Sequence, residues 1–205
     1  MSHYYDASPN VSSDEQLIER KIATHQMKFH TDNGVFSKAS IDYGSEFLIE
    51  QFINHVNCDE STHIVDVGCG YGPIGLTVKK HFNCQMTMVD INERAIQLAK
   101  KNAKLNNLRS SINIFQNDIL SNIGKGEVDI LLTNPPIRAG KEVVHSIITQ
   151  ARQLDINEVW VVIQKKQGMS SMKKHIESLY SDVETIAKSK GYYICLLYTS
   201  DAADE

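Results

Sequence analysis

From residue 42 onward the apolar positions alternate between helical spacing and short β-branched runs. Phe47, Leu48, Phe52 and Val56 fall on one stripe, so Asp42 to Val56 reads as a helix. His63 to Val67 is rich in β-branched residues and reads as a buried strand. Gly68 to Gly72 is a loop, and Pro73 suits the first turn of a helix running to about His81. Gln85 to Val89 is a second strand that ends at Asp90. Asn92 is a good N-cap for a helix carrying Ala95, Leu98, Ala99, Asn102 and Ala103 inward. Ile112 to Phe115 and Val128 to Thr133 give two more strands, and Lys141 to Leu154 a helix with Val144, Ile147, Ile148 and Ala151 on one face. Glu158 to Ile163 follows as a strand and Ser170 to Tyr180 as a helix. Val183 to Lys188 and Tyr192 to Leu197 close the pattern as a hairpin turning at Lys190-Gly191.

Strands separated by helices predict an α/β three-layer sandwich, Rossmann-like, around a mostly parallel sheet with right-handed crossovers. The closing hairpin makes the last strand antiparallel. Residues 1–40 are polar and broken by Pro9 and Gly34, and read as an irregular extension with one short strand near Gln26 to Phe29. Residues 199–205 carry no apolar pattern and read as a disordered or non-native tail. The expected division is therefore an extension or lid over 1–40, a domain over 41–198 and the tail.

Length and composition narrow the class. The chain has 205 residues, 41% hydrophobic and 22% charged, ordinary for a globular domain. There is no long uncharged apolar run of transmembrane length and no signal-like N-terminus, so no membrane span is expected. Cys58, Cys69, Cys84 and Cys195 form no Cys-x-x-Cys pair, which argues against structural zinc and for a reducing, cytoplasmic setting. His25 and His30 lack companions that would complete a metal site. The formal charge is −4, but Asp201, Asp204 and Glu205 lie in the tail. Without them 21 basic residues face 22 acidic ones, a net of −1, so bulk charge does not decide for or against a nucleic-acid partner.

Candidate chemistry sits at the ends of the strands, where ligands of such sheets bind. Asp66-Val67-Gly68-Cys69-Gly70-Tyr71-Gly72 follows the first strand and opens a helix. Asp90 ends the second strand, 18 residues after Gly72, where a carboxylate can take both ribose hydroxyls of a nucleoside cofactor. A dinucleotide would need Gly-x-Gly-x-x-Gly, with its pyrophosphate on the helix N-terminus. The acid-first Gly68-x-Gly70-x-Gly72 spacing favours S-adenosylmethionine instead, whose ammonium suits a carbonyl-lined loop with a carboxylate nearby. Asn117-Asp118 ends the third strand, where the acid can reach the exocyclic amine of adenine; Asn-Asp is also ordinary turn chemistry. Thr133-Asn134-Pro135-Pro136-Ile137 ends the fourth. Two prolines stiffen this loop, and the Asn134 side-chain oxygen and the Pro135 carbonyl can together orient one substrate NH₂ group for attack on a sulfonium methyl. The bland alternatives are a tight glycine turn and a proline-ended strand.

These residues resemble class I S-adenosylmethionine-dependent methyltransferases over about Phe29 to Leu197. The resemblance implies a seven-stranded sheet ordered 3-2-1-4-5-7-6 with strand seven antiparallel, and S-adenosyl-L-homocysteine as the spent cofactor. It implies cofactor contacts from Asp66, Gly68, Cys69, Gly70, Gly72, Asp90, Ile91, Asn117, Asp118 and Asn134, and a catalytic loop of Asn134, Pro135, Pro136 and Ile137. Asp32 to Ser37, Ile41 to Ser45 and Asn134 to Lys141 are similar more narrowly to the RsmC-type small-subunit ribosomal RNA guanine-N2 methyltransferases. That likeness implies a ribosomal RNA or small-subunit partner and substrate contacts from Phe36, Asp42, Arg138 and Lys141. Larger members carry a second, degenerate domain that a chain of this length lacks room for. Ile137 stands where adenine-N6 enzymes usually carry an aromatic residue, which counts against adenine. Lys165, Lys166, Lys173 and Lys174 extend the basic residues on the cofactor side. A protein-glutamine or small-molecule methyltransferase, and a cofactor-binding RNA module without catalysis, share the same core. Oligomeric state has no signature here, and a monomer is compatible with the pattern.

Overall fold

The β-branched runs form strands buried on both faces, and the amphipathic stretches form the helices that cover them. The computed structural model describes residues 11–108, 110–135, 140–164 and 175–199. In chain order the elements are β1 (Gln16–Ile22), β2 (His25–Thr31), α1 (Tyr43–His55), β3 (His63–Val67), α2 (Pro73–His81), β4 (Gln85–Asp90), α3 (Glu93–Leu105), β5 (Ile112–Gln116), β6 (Ile130–Thr133), α4 (Gly140–Gln153), β7 (Glu158–Gln164), β8 (Asp182–Ser189) and β9 (Tyr192–Tyr198). The seven-stranded sheet runs β5-β4-β3-β6-β7-β9-β8. Counted from β3, this is the expected 3-2-1-4-5-7-6 order. Its ladders are parallel except those of β9, which is antiparallel to both β7 and β8.

Successive residues of each central strand enter different cores, as the period of two requires. Ile64, Met88, Leu132 and Trp160 pack with α1, α2, α3 and the β1–β2 hairpin. Val65, Val89, Leu131 and Val159 pack with Val144, Ile147, Ile148 and Ala151 of α4. This is the expected three-layer sandwich. Among the described residues no helix is long and apolar enough to cross a membrane. The four cysteines are free thiols.

The N-terminal region corrects the expectation of one short strand. Residues 16–31 form an antiparallel hairpin, with Gln16 opposite Thr31 and Ile22 opposite His25. β1 gives no periodic signal because only Ile22 is buried, and Leu17 is 52% exposed. Two asparagines one turn apart, Asn102 on α3 and Asn106 at its C-cap, hold β2 against the domain. Asn102 accepts the His30 N–H at 2.7 Å and donates to the His30 carbonyl at 2.9 Å and the Tyr71 carbonyl at 2.8 Å. Asn106 does the same to Lys28, at 3.1 and 2.7 Å. Each carboxamide offers a donor and an acceptor side by side, as a strand's backbone would. The fourth strand of the sheet, β6, starts at Ile130 rather than Val128. The helix expected over Ser170 to Tyr180 lies mostly outside the described residues, with 175–177 helical.

Candidate functional site

The loop after β3 turns back because its amides bond into the next strand: Gly68 and Cys69 N–H both donate to the Val89 carbonyl, at 2.9 and 3.0 Å. Gly68 and Gly70 have φ of +73° and +56°, and a Cβ built on either meets nothing within 4 Å. These glycines combine a backbone that side chains resist with open space in front of it. Gly72 is different. It caps α2 at φ +101°, and a Cβ there would lie 2.8 Å from Leu76 Cδ1.

Asp90, at the tip of β4, organises this loop. One carboxylate oxygen accepts the Gly70 N–H at 2.8 Å and the other the Asn92 N–H at 2.9 Å. Burial pushes its pKa up, while the N–H groups of Asn92, Gly70 and Ile91 pull the other way. Each oxygen keeps a lone pair for a ligand hydroxyl. Asp66 stands behind the loop. It is fully buried, accepts the Gly75 N–H at 2.8 Å through Oδ2, and has no partner for Oδ1 among the described residues. Burial raises it to about 7, with the nearby Asp90 adding to the shift.

These tips open on a cavity of about 240 Å³. Its wall brings together Gly68, Cys69, Gly70, Asp90, Ile91, Asn117, Asp118, Asn134, Pro135, Phe36 and Asp42 of the sequence-derived set. Asp66 and Gly72 support the loop from behind the wall. Lys141 is exposed in the first turn of α4 and is not part of the wall. Pro136, Ile137 and Arg138, and Lys165, Lys166, Lys173 and Lys174, lie outside the described residues. Asp118 is exposed, whereas Asn117 is buried and braces its own turn, donating to the Ile119 carbonyl at 3.1 Å and accepting from Ser121 Oγ at 2.9 Å.

The wall carries three carboxylates, Asp42, Asp90 and Asp118, and among the described residues no lysine, arginine or histidine. A pyrophosphate would meet repulsion there without a counter-charge. A cationic nucleoside fits: its hydroxyls suit Asp90, its apolar ring suits Ile91 and Ile119, and its positive end suits an acid-lined wall. The choice between dinucleotide and S-adenosylmethionine therefore falls to the latter.

The opposite wall comes from residues 32–45. Asn92 caps α3 through Oδ1, and its Nδ2 donates to the Gly34 carbonyl at 2.8 Å. Arg94 donates to the carbonyls of Asn33 at 2.7 Å and Val11 at 2.8 Å. These tethers set Val35, Phe36 and Ser37 over the cavity. Across it, Asn134 Nδ2 donates to Asp42 Oδ2 at 2.8 Å and Ser45 Oγ at 2.9 Å. Thr133 Oγ1 donates to the Val67 carbonyl at 2.9 Å, fixing the tip of β6 to that of β3. Sequence spacing marks Asn92 as a helix cap but carries no signal for its bond to Gly34, for the parts of Ser45 and Arg94, or for the docking of β2 by Asn102. Polar side chains on helices carry no periodic mark of what they will hold.

Comparison with known proteins places this arrangement. The methyltransferase small domain family matches residues 26–196. The chain belongs to that family. Membership makes the chain an S-adenosylmethionine-dependent methyltransferase, as the motifs imply. A relative from Bacillus subtilis, the uncharacterized protein YbxB, is 42% identical over 94% of this chain and 96% of its own length. Ribosomal RNA small subunit methyltransferase C of Haemophilus influenzae is 34% identical over 57% of this chain, but only 34% of its own length is matched. Among solved structures, the T. thermophilus 16S rRNA guanine-N2 methyltransferase, in complex with AdoMet and guanosine, superposes with a TM-score of 0.79 at 19% identity. That match covers 94% of this chain and 52% of the other. The ribosomal protein L11 methylase of Lactobacillus delbrueckii follows the same fold at a TM-score of 0.66 and 17% identity. The chain thus spans about half or less of the named ribosomal RNA enzymes it matches.

Proposed function

We propose that this chain methylates an exocyclic amine of ribosomal RNA, guanine N2 of the small subunit, in the cytoplasm. The observation that carries the reading is Asn134-Pro135 at the edge of an acid-lined cavity free of basic groups among its described residues. S-adenosylmethionine, when bound, supplies an electrophilic methyl on a sulfonium. Asp90 would hold its ribose, Ile91 and Asp118 its base, and the Gly68–Gly70 backbone its amino-acid end. Asn134 Oδ1 and the Pro135 carbonyl take the two amine hydrogens and aim the nitrogen lone pair. Transfer would replace the sulfonium's C–S bond with an N–C bond, that bond's electron pair remaining on sulfur. The nitrogen, positive at that moment, then gives one proton to water, so no strong base is needed. Phe36 and Asp42 would close the substrate side, and Arg138 and Lys141 would meet RNA phosphates. The similarity to RNA methyltransferases of the family supports RNA over protein or metabolite.

The test is incubation of the full chain with small ribosomal subunits and methyl-labelled S-adenosylmethionine. Label in the RNA, lost with Asn134→Ala, is the expected result. Label in ribosomal protein would support a protein methyltransferase, and cofactor binding without transfer a non-catalytic module. Either sinks the proposal.

A further inference from the structure

The carboxamide of Asn134 has two ends of opposite character, and their exchange is a half-turn about one bond. A carboxylate has no proton to give, so only the Nδ2 end faces Asp42 without repulsion. Asp42 Oδ2 takes one Nδ2 proton at 2.8 Å and Ser45 Oγ takes the other at 2.9 Å. Both donors are consumed, and Oδ1 meets no donor among the described residues. Asp42 is itself fixed. It is the N-cap of α1, and the same Oδ2 accepts the Gly44 N–H at 2.9 Å and the Ser45 N–H at 3.3 Å. The helix behind it buries Phe47, Leu48, Ile49 and Phe52 in the core. The orientation of one side chain at the tip of β6 is thus tied to a helix start 92 residues earlier.

We propose that Asp42 and Ser45 are positioning residues for Asn134, locking its carboxamide so that Oδ1, and not Nδ2, is presented to the substrate amine. This rests on the methyl-transfer reading above. The lock does two things. It removes the flipped state, whose N–H groups would point at the amine hydrogens and disorient the lone pair. It also sets a negative charge behind the donor end, which enriches Oδ1 as an acceptor while the attacked nitrogen gains positive charge. The site thereby selects substrates with N–H to donate. Asp42 acts through Asn134 and does not touch the substrate in this role.

Three variants test it. Asp42→Ser keeps a good N-cap for α1 but falls short of Asn134. Asp42→Asn keeps both the cap and an acceptor, and Ser45→Ala removes the weaker partner. In the ¹⁵N-labelled full chain, the Asn134 carboxamide signals, assigned by their loss in Asn134→Ala, should exchange with solvent at least about tenfold faster in Asp42→Ser. The thermal midpoint should stay put. On small ribosomal subunits kcat should fall about tenfold to a hundredfold in Asp42→Ser, with the S-adenosylmethionine Kd little changed. Asp42→Asn should recover part of that loss. Added to Asn134→Ala, Asp42→Ser should cost nothing more. Unchanged carboxamide exchange in Asp42→Ser, or a full additional loss on top of Asn134→Ala, overturns the proposal. If the parent chain transfers no methyl to RNA, the functional reading fails, while the carboxamide exchange still decides the lock.

Discussion

At the wall formed by the tips of β3 and β4, carboxylates hold nearby backbone N–H groups: Asp66, behind it, takes Gly75 of α2, and Asp90 takes Gly70 of the preceding loop and Asn92. On the wall formed by residues 32–45 Asp42 likewise caps its own helix, but donors from the far side are added. There, side chains of α3 hold the carbonyls of a distant strap, Asn92 at Gly34 and Arg94 at Asn33. The first wall is local in sequence and set in the parallel sheet. The second exists only once the hairpin and strap have docked. Damage to the first should therefore cost the cofactor, and damage to the second should cost catalysis or stability while cofactor affinity survives.

The largest expected break is Asn134→Ala, which should lower kcat by about 10² to 10³ and leave the S-adenosylmethionine Kd, read by calorimetry, nearly unchanged. Asp90→Ala should do the converse, weakening cofactor binding by about a hundredfold or more, since it removes charge-assisted acceptors worth roughly 1.5–3 kcal/mol each. Equal loss of affinity in both would erase the distinction between the walls. Asn102→Ala sharpens it from the hairpin that precedes the strap. It strips partners from the buried backbone of His30 and Tyr71, and denaturant unfolding should show a loss of about 3 kcal/mol. A loss below about 0.5 kcal/mol would mean that the hairpin docks by apolar contact alone.

A further effect concerns pH and is read as a slope. Burial lifts Asp66 to about 7 in the folded chain, above the ordinary carboxylate value of about 3.9. The folded state then keeps a proton that the unfolded chain releases. Stability of the cofactor-free protein should fall as pH rises across that window, by up to about 1.4 kcal/mol per pH unit. Asp66→Asn should flatten the slope relative to the parent. An identical slope in both would show that Asp66 is ionised in the fold.

The parallel core was legible because its strands are buried on both faces, so β-branched runs such as His63–Val67 stand out from the helices around them. The cofactor wall was legible for a related reason: its glycines and acids are spaced along one loop and the next strand end. β1 was not, because Gln16–Ile22 buries one residue and owes its shape to pairing with β2. The strap wall was half legible. Asn102 read as facing inward, and it does, but nothing in the spacing of α3 says that it faces a backbone. Asp42 stood out only by resemblance. Its link to Asn134 spans 92 residues and leaves no periodic trace.

The most direct measurement is nucleoside mass spectrometry of small-subunit RNA after incubation with this chain and methyl-labelled S-adenosylmethionine. The account predicts label in N2-methylguanosine, absent when Asn134→Ala replaces the parent. Label in a methylated adenine, or in no nucleoside at all, would contradict it.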